Sequence, residues 1–173
     1  MNTKKIINLV CVSFMVLFGA GCANYQLGST LDPALTDVYV PTVRSKVNQA
    51  GIEAAVTSAI MKEIQREGTL RICDKANAST ILEIEIIEYV QDTLRYNSDD
   101  LKKAAEYTMT IKANVVFRKL SGDPEKAIIF EKTYSGEDTF LSGTDTISAR
   151  QRCLPDASKD LAEQIIDACI SVW

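Results

Sequence analysis

Histidine is absent from the 173-residue sequence, and this absence excludes more chemistry than any other feature of the composition. Without imidazole the chain cannot build a Ser-His-Asp or Cys-His nucleophile, and most zinc and iron sites lose their usual ligand. The one dense acidic set is Glu83, Glu85 and Glu88. A solvated strand face is a poor place to shift carboxyl pKa values, so paired catalytic carboxylates are the weaker interpretation. We therefore expect no enzyme activity, no cofactor and no metal site.

A surplus of basic residues is also missing. The net charge of the chain is −4, and residues 1–21 carry only Lys4 and Lys5 as charged side chains. The remaining 152 residues hold 17 basic and 23 acidic side chains, a net charge of −6. This balance gives no electrostatic footprint for nucleic acid. Binding to a phosphorylated glycolipid would need local clusters of Lys and Arg.

The sequence lacks an apolar run long enough to span a bilayer, which takes about 20 residues. Its longest apolar run, 6–18, follows a short basic start and precedes Gly19-Ala20-Gly21, as in a secretory signal peptide. Cys22 comes next and resembles the lipidated cysteine of a bacterial lipobox, although that box usually has Leu where Gly19 stands. We predict a lipoprotein signal peptide (1–21), lipid attachment at Cys22 and a membrane tether (22–35). The alternative is an ordinary signal peptide with Cys22 unmodified.

Cysteine is too scarce for a disulfide framework. Of the five cysteines, Cys11 leaves with the signal peptide and Cys22 would carry the lipid. Cys73, Cys153 and Cys169 remain, which allows at most one internal bridge among three possible pairings. If a bridge exists, the pairing we expect is Cys73–Cys153, because Cys169 lies on the apolar stripe of the last helix and reads as a core residue.

The first half of the mature chain has a strand–helix–strand pattern. Residues 36–42 predict a short strand that Pro41 ends. An apolar stripe predicts a helix over 50–67, with Asn48 as N-cap and Gly68 as left-handed C-cap. A short strand is expected at 69–73.

The second half is richer in strands. Alternation predicts a strand at 80–90, with its glutamates on a solvated outer face, and a polar insertion at 91–105. A β-hairpin is predicted at 107–134, followed by a loop at 135–144. A second amphipathic helix begins near Thr146, and Pro155 should interrupt or kink it.

These elements predict an α+β fold for a single domain over 36–173. We expect a two-layer sandwich, in which about four strands form a mixed sheet and two helices pack on one face. The other sheet face, rich in Thr, Lys, Glu and Asn, is left to water or a partner.

The order of several short stretches is similar to that of the LptE lipoproteins of lipopolysaccharide assembly. After the lipid-bearing cysteine come Tyr25-Gln26-Leu27-Gly28 and the Val-Tyr-Val-Pro strand of Val38–Pro41. The first helix ends in the Gly-Thr-Leu turn of Gly68–Leu70, and the closing helix carries Asp-Leu-Ala-Glu-Gln-Ile at Asp160–Ile165. The 91–105 insertion and Pro155 depart from this resemblance, which otherwise covers nearly the whole mature chain.

The resemblance implies a location and a partner. Members of the family are held by their lipid at the inner leaflet of the outer membrane, facing the periplasm. They insert into the lumen of the LptD β-barrel, support its assembly and help deliver lipopolysaccharide outward. Ala23 follows the lipid cysteine where an aspartate would resemble an inner-membrane retention signal, which also favours the outer membrane.

Two clusters of basic residues are the candidate contacts for lipopolysaccharide phosphates or for the partner. One cluster belongs to the 91–105 segment and the other to the end of the hairpin. For any single residue of either cluster, solvated surface charge is an equally good interpretation. The candidates are Arg95, Lys102, Lys103, Arg118, Lys119 and Lys126.

A different function class stays open. Small βαββ lipoproteins that activate a cell-wall synthase share the early strand–helix–strand pattern. Such proteins usually have a tether longer than residues 22–35, so tether length favours the barrel partner. The protein that co-purifies with the intact lipoprotein would discriminate the two.

Overall fold

The computed structural model describes residues 32–96, 104–121, 127–141 and 146–172. The predicted signal peptide, Cys22 and residues 22–31 of the tether lie outside these ranges. Pro33–Leu35 forms a short 3-10 helix capped by Asp32, and Leu35 is buried. The elements that follow are β1 (Asp37–Tyr39), β2 (Arg44–Ser45), α1 (Ile52–Glu67), β3 (Arg71–Ile72), β4 (Thr80–Tyr96), β5 (Ala104–Lys119), β6 (Ile128–Leu141) and α2 (Thr146–Ile170).

The strands form one mixed sheet. Its order is β3-β1-β4-β5-β6, and β2 also pairs with β4. Strands β1, β2 and β3 run in parallel pairings, whereas β4, β5 and β6 are antiparallel neighbours. The α+β class and the mixed sheet are confirmed, but the prediction of about four strands is wrong because the sheet has 6.

Strands β4, β5 and β6 are longer than their apolar alternation suggested. β4 continues to Tyr96 and β5 begins at Ala104, so most of the predicted 91–105 insertion is strand. β6 likewise continues to Leu141 through the stretch predicted as a loop. Ladder pairing with the neighbouring strand holds these polar stretches extended. Residues 97–103 lie outside the described ranges.

The first helix confirms its predicted stripe and C-cap. Ile52, Val56, Ile60 and Ile64 are buried, and Gly68 closes α1 at φ 80° with its N–H bonded to the Ile64 carbonyl. The N-cap prediction is wrong: Gly51, at φ 81°, occupies that position and not Asn48. α1 therefore starts three residues later than an Asn48 cap would place it, and no side chain caps its first turn.

Pro155 lies inside α2, which runs from Thr146 to Ile170 without interruption. The predicted interruption at Pro155 is therefore wrong, and the alternative, a kink at Pro155, stays a prediction. Ala157, Leu161, Ile165 and Cys169 repeat along the face that packs on the sheet, and all four are fully buried as predicted. α2 crosses β5 and β6 and also packs against α1.

In the ranges that the structure describes, no helix has the length and apolarity needed to cross a membrane.

The core lies between the two helices and the sheet face they cover. From the sheet it contains Leu82, Ile86, Met109, Ile111 and Phe117, all fully buried.

Cys73, Cys153 and Cys169 are free thiols, so the expected Cys73–Cys153 bridge is not present. Burial raises the pKa of both Cys153 and Cys169 to about 12, which keeps these thiols protonated.

Candidate functional site

The candidate functional site has two parts. One is the outer face of the sheet, the face opposite the helices. The other is the end of the sheet where β4 and β6 finish and β5 begins, around Leu94, Arg95, Glu106 and Leu141, which we call the far end. On β4 the outer face carries Glu83 and Glu85, as the alternation predicted, and also Glu88. A register shift between Ile86 and Glu88 brings Glu88 onto this face instead of Ile87. The helices pack on the opposite face, so these carboxylates are available to solvent or to a partner.

Each of these glutamates meets a cation from a neighbouring strand or loop. Arg118 on β5 donates to Glu83 at 3.0 Å, and Lys112 on β5 reaches Glu88 at 3.1 Å. Lys46, just after β2, binds Glu85 at 2.6 Å, and this hydrogen bond lowers the pKa of the Glu85 carboxyl.

The outer-face glutamates of β6 are also paired, but their partners on β5 are uncharged side chains. The Asn114 side-chain amide donates to Glu131 at 3.1 Å, and the Thr110 hydroxyl donates to Glu137 at 3.3 Å. Exposed pairs of this kind contribute little to stability. Their main consequence is a polar surface on which most charges already have a partner.

The two predicted basic clusters lie at opposite ends of the sheet. Arg95 is opposite Glu106 near the start of β5, and Arg118 is near its end. Twelve residues separate Glu106 from Arg118, which corresponds to about 40 Å at roughly 3.3 Å per strand residue. A single lipid headgroup therefore cannot contact both clusters.

The candidate residues differ in what surrounds them. Arg118 is bound to Glu83, and the Arg95 guanidinium lies 3.9 Å from the Glu106 carboxylate. Lys119 is exposed at the end of β5. Lys102, Lys103 and Lys126 lie outside the described residues, as does Cys22. Arg95 and Lys119 are therefore the described candidates least engaged with the sheet.

The far end of the sheet also exposes large apolar side chains that the sequence analysis missed. Leu94 is 56% exposed and Leu141 is 70% exposed. Arg152 on the first turns of α2 lines a cavity of about 310 Å³ with Phe140 and Leu141. Predicting residues 135–144 as a loop hid this arrangement, because Leu141 then had no strand neighbours.

A second concavity lies between the helices. Ala55, Ser58 and Ala59 of α1 face Pro155 and Lys159 of α2 across a groove of about 400 Å³. The small side chains on α1 leave this space.

A charge network includes three of the residues that line this groove, Glu63, Arg66 and Lys159. The Glu63 side chain is only 5% exposed and accepts two hydrogen bonds from Arg66, which also reaches Glu163 at 3.5 Å. Glu163 in turn meets Lys159 at 3.6 Å. The network joins α1 to α2, and no local pattern predicts this link because Arg66 and Glu163 are 97 residues apart.

The side chains of the described ranges include no group of three or more His, Cys, Asp or Glu that could hold a metal ion. The acids on the outer face are spread along strands and engaged with cations, and the buried thiols carry raised pKa values. Neither arrangement suits a metal or a nucleophile. The surface is chemically suited to binding, with polar pairs on the face and arginines beside leucines at the far end.

Comparison with solved structures identifies the same fold in several bacterial proteins. A Xanthomonas campestris protein is 12% identical with a TM-score of 0.58, covering 80% of this chain and 88% of its own. A candidate lipoprotein from Caulobacter crescentus is 10% identical with a TM-score of 0.53, over 80% and 91% of the two chains. A hypothetical protein from Chlamydia trachomatis is 9% identical with a TM-score of 0.53, over 79% and 96%.

At these identities the solved structures show the fold alone. No curated protein matches the sequence significantly. A family model does match: the model described as "LptE: Lipopolysaccharide-assembly" covers residues 35–168, from the buried Leu35 to the last turn of α2. That range includes the six strands of the described sheet, all of α1 and nearly all of α2. The chain therefore belongs to the LptE family, a non-enzymatic family of lipopolysaccharide-assembly proteins.

Proposed function

We propose that this protein is a lipoprotein of the outer membrane, anchored through Cys22, that partners an LptD-type β-barrel and supports the assembly and transport of lipopolysaccharide. The family model that matches residues 35–168 supports the lipopolysaccharide role. The observation that carries the barrel partnership is the outer face of the sheet, because a barrel interior is itself polar.

The pairing of charges on the outer face explains why it fits such a lumen. A face of unpaired glutamates would lose hydration on entering a barrel, at a high free-energy cost. Here Arg118, Lys112 and Lys46 already neutralise Glu83, Glu88 and Glu85. The face can therefore approach a polar wall and exchange water for hydrogen bonds with little unpaired charge.

The far end of the sheet supports contact with the lipid itself. Lipopolysaccharide presents phosphates next to acyl chains, and this end presents arginines next to exposed leucines, Leu94 and Leu141. Arg95 and Arg152 are the cations for the phosphates, as charge-assisted pairs. The cluster near Lys119, about 40 Å away along β5, would be a separate contact.

Affinity purification of the intact lipoprotein tests the barrel partnership. Asn114→Trp places a large side chain at the centre of the outer face, between Glu85 and Thr133. We expect it to reduce the co-purified barrel at least about tenfold, since a packed interface does not accept the added volume. Gln65→Trp, on the exposed side of α1, is the control and should leave the barrel bound.

Three results would contradict parts of this proposal. Equal loss of the barrel in both variants would mean that the outer face is not the contact surface. Co-purification of a cell-wall synthase in place of a barrel would support the alternative regulatory role. Retention of the protein in the outer membrane after Cys22→Ser would remove the lipid anchor from the scheme.

Lipopolysaccharide binding is tested separately. Charge reversal at Arg95 and Arg152 should weaken binding to purified lipopolysaccharide in a pull-down, and reversal at Lys119 reports on the other end of the sheet. Loss with Lys119→Glu alone would move the contact to that end. Unchanged binding in all three variants would contradict direct lipid contact through these side chains.

A further inference from the structure

β6 is a long strand at one edge of the sheet. β6 has 14 residues and pairs along its length with β5. A long edge strand leaves one row of backbone N–H and C=O groups without strand partners, which is a template for pairing with another chain. The protein itself covers part of this edge.

The second helix covers the middle of the edge. The Glu137 N–H donates to the Asp160 carboxylate at 2.9 Å, and Gln164 donates to the Ser135 carbonyl at 2.8 Å. Gln164 also hydrogen-bonds Asp160 at 3.2 Å. Two side chains of α2 thus take the place that a neighbouring strand would occupy, and a further strand is blocked at this position.

These contacts also identify which residues face the edge. Because Ser135 and Glu137 point their backbone groups outward, alternation makes Glu131 and Thr133 do the same. In the ranges that the structure describes, the outward N–H groups of Glu131 and Thr133 donate no hydrogen bond and their outward C=O groups accept none. Both residues and Lys132 between them are exposed. The stretch Glu131–Thr133 is therefore an open edge, limited at one end by the α2 contacts.

The side chains around this open edge differ on the two faces of the sheet. On the helix-side face Lys132 stands between half-buried Phe130 and Tyr134, with its ammonium 5.3 Å from the centre of the Tyr134 ring. On the outer face Glu131 is held by Asn114. An incoming strand would therefore meet a cation flanked by aromatic rings on one face and an anion on the other.

We propose that the open edge Glu131–Thr133 binds an extended segment of another protein by strand addition, with an acidic residue opposite Lys132 and a basic residue opposite Glu131. The backbone groups of Glu131 and Thr133 supply the hydrogen bonds, and alternate side chains supply the specificity. The backbone groups of this edge point sideways from the sheet, and the edge shares only the Glu131 side chain with the outer face. The proposal therefore does not depend on the barrel partnership.

A second copy of the chain is a poor occupant of this edge. In an antiparallel pairing of β6 with itself, outward-facing residues meet outward-facing residues, so odd-numbered positions lie opposite odd-numbered ones. Lys132 then always meets an even-numbered position and Glu131 an odd-numbered one. The two opposite charges can never meet, and the register centred on Lys132 brings two ammonium groups together. Complementary charge requires a different sequence.

A heptapeptide of sequence SVTEKVS, acetylated and amidated, is a direct probe of the edge. Paired antiparallel to β6, it sets its glutamate opposite Lys132, its lysine opposite Glu131 and its valines beside Phe130 and Tyr134. We expect the full-length protein to bind it with saturable amide shifts at Glu131 and Thr133 in NMR. Methylation of the peptide nitrogens of its threonine and lysine should abolish binding, because those N–H groups face the strand.

A charge exchange provides the matched control. The peptide SVTKEVS has the same composition and should bind at least about tenfold more weakly, since both of its charges meet like charges. The double variant Glu131→Lys with Lys132→Glu should reverse that preference, and a circular dichroism melt verifies that it is folded. The proposal is overturned if neither peptide saturates, if N-methylation has no effect, if the shifts map elsewhere, or if the preference does not reverse. Concentration-dependent dimerisation through the same amides would overturn it in favour of a second copy.

Discussion

Gly136 on β6 lies directly against Leu161 on α2. A Cβ atom built on Gly136 would be 2.5 Å from the Leu161 Cβ and closer still to the Ala157 carbonyl oxygen. Real Cβ contacts are essentially never below 3.0 Å, and the nearest atoms here belong to the helix backbone. The strand therefore approaches the helix at the one position where it has no side chain, next to the two edge contacts from Asp160 and Gln164.

This approach predicts a large effect of Gly136→Ala. The added methyl group must push α2 away from the sheet, which should lower the free energy of unfolding by about 3 kcal/mol. Urea unfolding followed by circular dichroism measures the change. Gly51→Ala is the control, because Gly51 has open space around it and only a left-handed backbone at φ 81° to strain, a smaller cost of about 1 kcal/mol. Equal losses in the two variants would contradict the close packing.

Two bidentate arginine pairs should respond differently to loss of the arginine. Arg66 binds Glu63, whose side chain is only 5% exposed, whereas Arg71 binds Asp37, whose side chain is 30% exposed. Arg66→Ala leaves a buried carboxylate without its partner, while water replaces Arg71 more readily at Asp37. We expect the urea midpoint to fall at least twice as far in Arg66→Ala as in Arg71→Ala. The reverse order would show that Glu63 turns to solvent at little cost.

The pairs of Asp37 and Glu85 predict a loss of stability in acid. Hydrogen bonds from Arg71 and Lys46 lower the pKa of these two carboxyls in the folded state. In the unfolded chain their pKa values are about 3.9 and 4.3, so the folded state binds fewer protons near pH 4. Their contribution is thus present above that range and is lost as the pH falls through the lowered folded pKa values.

Urea midpoints at pH 6 and pH 3 measure this effect. The double variant Asp37→Asn with Glu85→Gln should lose less stability between the two pH values than the unmodified protein. Gln65→Ala, which removes no titratable group from the exposed side of α1, is the control and should retain the full pH dependence. If all three proteins respond alike to acid, other carboxyls carry the effect.

The three cysteines of the domain should differ in reactivity. Cys153 and Cys169 are buried, and burial raises the pKa of each to about 12, so almost no thiolate exists at pH 8. Cys73 is half-exposed beside the Val38 carbonyl. Iodoacetamide should label Cys73 at least about tenfold faster in the native protein, with sites assigned by peptide mass mapping. In 6 M guanidinium all three should label alike, and rapid native labelling of Cys169 would contradict its burial.

Sequence patterns predicted the elements that have one apolar face. The stripe of α1, the C-cap at Gly68, the glutamate face of β4 and the buried stripe of α2 followed from periodicity and glycine chemistry. β2 was missed because two residues, Arg44 and Ser45, hold no pattern, and only their ladder with β4 makes them a strand.

The candidate site was harder to predict for a related reason. Which basic residues are engaged depends on register: Arg118 meets Glu83 only because β4 and β5 pair as they do. Register along polar strands is set by long-range pairing and by the shift at Ile86/Glu88, and neither is visible in local composition. The leucines at the far end were missed for the same reason.

The position of β1 has a consequence for how the chain reaches this structure. β1 lies between β3 and β4, so its partners are synthesised some 34 and 42 residues after it, at Arg71 and Thr80. The three long antiparallel strands contact their sequence neighbours and can pair as soon as they emerge. β1 is the first of the described strands to be made, and it waits for residues 71–81 before either of its partners exists. Any factor that holds the newly made amino-terminal segment would leave β3 detached, because within the described sheet β1 is the strand that joins β3 to β4.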